Sequence, residues 1–112
     1  MDINPAQNLL SQEVTALHAE ICAALADPRR ILLLYALSEH PCNVGDLSSQ
    51  LDISQPATSR HLKILRERGL VTAMRDGVNV EYRLADSRLI EALELLRAVL
   101  RDHLAYHASL VE

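Results

Sequence analysis

Between residues 43 and 84 the hydrophobic period changes once, from about 3.6 to about 2 residues, and this constrains the fold more than any other feature. Val44, Leu47 and Leu51 share one face of a short helix expected over about 43–51. Asp52 and Ile53 make a tight connection, with the turn at 51–53. Ser54 is placed to cap a second helix, with Pro56 near its start and Gly69 at its end. Its inner face is expected to hold Ala57, His61 or Leu62, and Leu65. Two short helices joined by a three- to four-residue turn form a helix-turn-helix. Residues 70–75 and 78–84 then alternate as strands, with Val71, Ala73, Val78, Val80 and Tyr82 as inward positions. Asp76-Gly77 between them is a strong hairpin signal.

The flanks are helical in pattern. Ser11 is expected to cap a helix carrying Val14, Leu17, Ile21, Cys22 and Leu25 on one face, which leaves residues 1–12 as a loose arm. Asp27-Pro28 closes that helix and opens another over about 28–38, with Ile31, Leu32, Leu34, Tyr35 and Leu37 inside. Asp86 is expected to cap a long helix over 86–110. Leu89, Leu93, Leu96, Leu100 and Leu104 recur along it at steps of four, three, four and four, and Ile90, Leu95 and Val99 form a second row expected to face inward. A helix with two apolar faces in a chain of 112 residues implies a second copy.

The expected fold is therefore mainly α with one hairpin (α+β), in the order α-α-α-α-β-β-α. It comprises an arm over 1–12 and one domain over 13–110. Within the domain, the helix-turn-helix covers about 43–68, the hairpin 70–84 and the dimerisation helix 86–110. With three Tyr and no Phe or Trp, the core must be aliphatic. Three Gly and four Pro leave little punctuation for a many-stranded sheet.

Charge points to a partner. The chain carries a net charge of −4, yet residues 60–75 hold five basic residues (Arg60, Lys63, Arg66, Arg68, Arg75) against Glu67 alone. That segment is +4, so the rest is −8. An acidic body with one basic patch suits oriented binding to DNA and disfavours loose coating of the duplex. The second helix of the pair opens with Ser54, Gln55, Thr58 and Ser59, short polar groups suited to close approach to a major groove. Gln55 can present a bidentate amide to adenine, Thr58 or Ser59 can meet a base edge or phosphate, and Arg60 and Lys63 can neutralise backbone charge. Arg75, Asn79 and Arg83 crowd the hairpin, whose use would be a wing along the minor groove or the phosphates.

These residues resemble the ArsR/SmtB family of winged-helix repressors. The resemblance runs through LADPRRIL from Leu25, VGDL from Val44, SQPATSRHLKILRERGLV from Ser54 and VEYRL from Val80, covering about residues 20–86. It implies a homodimer held by the first and last helices, here through Leu17, Ile21, Leu89, Leu93, Leu96 and Leu100. It also implies repression through double-stranded operator DNA with an imperfect inverted repeat, and release by a metal, metalloid, reactive sulfur species or oxidant. Two effector sites of the family are broken here. The final-helix metal site falls on Asp86, Arg88, Val99 and Asp102, where Arg88 and Val99 offer no ligand. The Cys-Val-Cys element falls on Asn43, Val44 and Gly45, with Cys42 one residue out of register.

Other effector chemistry stays open. Cys22 is either a buried small hydrophobe or a thiol ligand, and Cys42 precedes a helix N-terminus that would favour a thiolate. Together they could take As(III) or Cd(II), or respond to an oxidant or reactive sulfur. His103 and His107 are four apart and could chelate Zn(II) or Ni(II) with His18 or Asp102, or simply face solvent or an interface. His61 is expected to pack or to contact phosphate. No glycine-rich phosphate loop, His-Glu-x-x-His or nucleophile triad marks an enzyme. A dimeric interaction module without DNA binding, an effector-independent repressor and an activator are the remaining readings. With no apolar run near 18 residues and no basic-then-apolar leader, the chain is expected to be cytoplasmic and without a membrane partner.

Overall fold

The computed structural model describes residues 4–111. Helix α1 (Pro5–Ala16) runs into a π-helical segment, Leu17–Cys22. Then come α2 (Pro28–Glu39), α3 (Val44–Leu51), α4 (Gln55–Glu67), strands β1 (Val71–Asp76) and β2 (Asn79–Leu84), and α5 (Arg88–Val111). This is the mainly helical, winged helix-turn-helix order read from the sequence.

The first helix starts earlier than Ser11. Asn4 caps it by accepting from the Ala6 amide at 3.0 Å, and Pro5 supplies a preset φ at the first position. Residues 5–12 of the expected arm are therefore helical, and residues 1–3 lie outside the described part. At α2, Asp27 Oδ1 accepts from the Arg29 amide at 2.8 Å. Its buried face is Leu33, Leu34, Ala36 and Leu37, whereas Leu32, expected inside, is 50% exposed. Leu33 takes the inner position because the face turned to α4 and β2 lies about 100° further round the helix.

The Ser54 cap is as expected, and Asn43, read from the sequence only as the start of its helix, caps α3 as well. Asn43 Oδ1 accepts from the Asp46 amide at 2.8 Å, and Ser54 Oγ from the Ala57 amide at 3.2 Å. Asp52 ends α3 in the left-handed region at φ 54°, and the Ser48 hydroxyl bonds to the Ile53 carbonyl to pin the turn. Gly69, at φ 75°, lets the chain leave α4 with the Leu70 amide bonded back to Leu65 O at 2.9 Å.

The strands pair antiparallel from Val71 opposite Leu84 to Asp76 opposite Asn79. The two-residue loop is thus Gly77-Val78, one residue later than Asp76-Gly77. Gly77 takes φ 63°, and a glycine in the first loop position is the pattern of a type II′ turn. Val78 is consequently at the tip and fully exposed, not inward. The hairpin is anchored to the body because residue 42 pairs with β2: the Cys42 amide donates to Tyr82 O at 3.1 Å and the Tyr82 amide to Cys42 O at 2.8 Å.

The core gathers Leu33, Leu34, Leu37, Leu47, Leu62, Leu65, Leu70 and Val71, with Ala24, Ala36, Cys42 and Leu93. Each fully buried Leu contributes about 1.5–3 kcal/mol. The two terminal helices contribute little to it. No residue of α1 is buried, and of the long leucine row only Leu93 is, at 6% exposure. Leu95 (70% exposed) and Val99 (67%) face solvent, contrary to the expected inward row, because α5 projects past the core after its first turns. The radius of gyration is 17.6 Å, against about 13 Å for a compact chain of this length. No described helix is long and apolar enough to cross a membrane.

Candidate nucleic-acid interface

Helix α4 is held by one face and presents the other. Ala57, Thr58, His61, Leu62 and Leu65 are buried against α2, α3 and β1, while Gln55, Ser59, Arg60, Lys63 and Arg66 are exposed. At 3.6 residues per turn the exposed set falls within roughly 140° around the axis. Among the described residues, no ion pair involves Arg60, Lys63, Arg66 or Arg75, so their charge is available to a polyanion. Arg68, by contrast, is bound to Glu20 at 2.7 Å, and Arg83 to Glu81 at 2.9 Å. Gly45 lies beside Gln55: a Cβ there would sit 3.8 Å from the Gln55 side-chain nitrogen.

Two expected contacts change role. Thr58 is fully buried, and its hydroxyl donates to Ser54 O at 2.9 Å. It sits on the inner face, where its side chain has no exposed surface. Ser54 is exposed, but its hydroxyl oxygen accepts from the Ala57 amide, so its first task is to start the helix. Arg66, counted in the basic segment but not among the contacts, joins the exposed arc. Its spacing, seven residues after Ser59, was the signal for it. On the hairpin, Arg75 and Asn79 are both exposed near the tip.

The expected self-association residues divide. Leu17, Leu96 and Leu100 are 47%, 62% and 54% exposed, while Ile21 and Leu89 are half-buried against the core. Leu93 is corrected from interface to core, because its first-turns position on α5 places it over the body of the same chain. Leu9, Leu10, Val14, Leu104 and Leu110 extend the exposed apolar surface.

The effector candidates are not assembled in one place. Cys22 and Cys42 are both free thiols, the first exposed and the second 3% exposed. Burial pushes the Cys42 thiol up, and Asp46, Glu81 and Glu39 push it further, so the expected gain from the α3 N-terminus is overridden. Its sulfur donates to His40 O at 3.4 Å and lies 3.3 Å from His40 Nδ1. His103 and His107 do meet, edge to face with ring centroids 4.3 Å apart. Among the described residues, no group of three or more His, Cys, Asp or Glu side chains is placed to hold a metal within one chain, His18 and Asp102 included.

A feature the linear pattern did not show lies behind α4. Arg30 donates to Ala24 O at 2.6 Å and Ala23 O at 3.4 Å, and its Nη1 lies 3.3 Å from His61 Nδ1. Asp27 Oδ2 is 4.0 Å from His61 Nε2.

The profile of the bacterial regulatory protein arsR family matches residues 27–73. The Biofilm growth-associated repressor of Agrobacterium fabrum is 37% identical over 81 residues, 72% of this chain and 69% of that one. The HTH-type transcriptional regulator CmtR of Mycobacterium bovis is 45% identical over 83 residues, 73% and 70% of the two chains. Among solved structures, the homodimeric winged helix-turn-helix DNA-binding domain of Mb0332 from Mycobacterium bovis aligns with a TM-score of 0.71 at 25% identity, over 93% of each chain. With the exposed face of α4 polar and basic, the hairpin following it and these relatives sharing most of its length, the chain belongs to the ArsR/SmtB family of winged helix-turn-helix transcriptional repressors, which are regulators and not enzymes.

Proposed function

We propose that this chain acts as a homodimer that binds an imperfect inverted repeat in operator DNA and represses the genes beside it. The observation that carries this reading is the exposed arc of Gln55, Ser59, Arg60, Lys63 and Arg66 on a helix whose opposite face is locked in the core. In the bound state α4 enters the major groove, Gln55 and Ser59 meet base edges, and Arg60, Lys63 and Arg66 meet phosphates. Arg75 and Asn79 lie along the flanking backbone or minor groove. The exposed apolar faces of α1 and α5 support pairing with a second copy, which sets the two reading helices about 34–36 Å apart.

Fluorescence anisotropy with the DNA upstream of its own gene, against a scrambled duplex, tests the reading. Tight, salt-dependent binding to the first alone is expected. Equal binding to both, or none, overturns it. A reporter that turns on when the protein is deleted separates repressor from activator.

Release by a small effector is the finer part of the reading. Thiol capture of As(III) or Cd(II), or attack by an oxidant or reactive sulfur species, is supported at Cys22, which is exposed, and opposed at Cys42, which is buried with a raised pKa. The contact of His103 with His107 favours Zn(II) or Ni(II) as a second reading, with further ligands drawn from a partner copy. Release by As(III), Cd(II) or oxidant that is lost in Cys22→Ser supports the first. Release by Zn(II) or Ni(II) that is lost in His103→Ala supports the second.

A further inference from the structure

We infer that Arg30 and His61 form a positioning joint between the first helix and the reading helix, and that acid opens it. The inference rests on the operator-binding reading, because it concerns what aims α4.

One guanidinium joins three elements. Arg30 belongs to α2, and its Nε and Nη2 are spent on the carbonyls of Ala24 and Ala23, at the end of the helix that begins as α1. The Ala24 carbonyl has no helical partner because residue 28 is proline, the Ala23 carbonyl also accepts from the Ala26 amide at 3.3 Å, and a cation there meets the negative end of the helix dipole. Nη1 then reaches His61 on the inner face of α4. Together with the Glu20–Arg68 pair at the far end of α4, this links the segment expected to bind the second copy to the helix expected to read DNA.

The chemistry of the two groups fixes the protonation state. Arginine only donates, so His61 Nδ1 must accept, and the ring is neutral with its proton on Nε2, facing Asp27. The charged groups around it are Asp27 and Arg29 at the start of α2, Arg30 within it, and Arg60 on α4 itself. Asp27 favours protonation but is already held by Arg29 at 3.0 Å. Burial and the three arginines oppose it, and they prevail. A proton on Nδ1 would set two donors face to face with like charge. Either the imidazole leaves the guanidinium and α4 shifts, or the guanidinium leaves the carbonyls and the first helix loses its cap. Both break the link that orients one reading helix against its twin.

Operator affinity of the wild type, His61→Gln and Arg30→Met, followed from about pH 7.5 to about pH 5.5 at fixed salt, tests the joint. The amide introduced by His61→Gln keeps an acceptor for Arg30 and cannot titrate. Charge gained by the other histidines is common to both proteins, so the ratio of wild type to His61→Gln isolates this ring. That ratio is expected to fall as pH drops across the range, by less than about tenfold because the ring titrates below its ordinary value. A constant ratio overturns the inference. In DNA-free protein, imidazole nitrogen NMR should show Nε2 protonated and Nδ1 accepting, with a titration midpoint that rises in Arg30→Met. A midpoint indifferent to Arg30 also overturns it. If the wild type binds no operator at pH 7.5, the operator reading fails, and the imidazole titration decides the joint alone.

Discussion

Helices α4 and α5 are both amphipathic, yet the chain completes only one of them. Five residues of α4 find the core of their own subunit, and what remains outside is polar and basic. Helix α5 is nearly twice as long, but Leu93 is its only buried residue among those described, and Leu95, Leu96, Val99, Leu100 and Leu104 are left exposed. A polar face in water is at rest. An apolar face of that extent is not, and it calls for a partner. The polar face of α4, proposed to read DNA, is therefore built within one subunit, while the distance between two such faces would be set outside it.

The sharpest way to break this contrast is Leu96→Glu with Leu100→Glu. The variant should sediment as a monomer that keeps its helical content, with operator affinity lower by about a hundredfold or more as bivalent binding is lost. A dimer that persists would move the interface elsewhere. Leu93→Ala probes the other side of the line. It should cost about 2–5 kcal/mol in denaturant unfolding, as a core cavity does, with the folded fraction still dimeric. Weakened dimerisation without loss of stability would return Leu93 to the interface.

Smaller effects test the face of α4 against its back. Gln55→Ala should cost about 1–3 kcal/mol of discrimination at one base position. Thr58→Val, on the buried face, should alter stability and leave the preferred sequence unchanged. Arg60→Ala should weaken binding to every duplex and lower the salt slope by about one, and an unchanged slope would remove Arg60 from the phosphate contacts.

The smallest expected effect concerns the caps. Hydrogen bonds from the Arg29 side chain and amide hold Asp27 at about 2, and the same bonds from Arg88 hold Asp86 at about 2. Both lie below the ordinary value of 3.8, so the unfolded chain takes up the proton first. Their stabilisation is complete above about pH 4 and is lost as pH falls through about 2. Asp27→Asn and Asp86→Asn should flatten that acid limb of a stability–pH curve; a limb of unchanged steepness would assign it to other carboxylates.

Much of the frame was legible along the chain. The helix starts at Asp27, Asn43 and Ser54 announce themselves because capping needs a short polar side chain within three residues of the amides it satisfies. The early start at Pro5 is equally local, but Ser11, a good cap by residue type, lies inside the helix and competes with it as a signal. The hairpin loop lies one residue later than expected because Asp-Gly and Gly-Val both fit a two-residue loop, and the observed register puts Gly77 in the first loop position, as a type II′ turn requires.

Local order, polarity and charge run are properties of neighbours in sequence, and they determined by themselves that this chain would form a helix pair, a hairpin and two apolar terminal helices. Which face of each helix turns inward was decided by tertiary packing. Leu93 faces the core while Leu96 does not, Thr58 is buried while Ser59 is not, and Cys42 is sealed while Cys22 is open. The same holds for the joint at Arg30 and His61, separated by 31 positions in the chain and 3.3 Å in space. Periodicity marks a stripe, but its edges and its partners depend on the angle at which helices cross, and only the folded structure supplies that angle.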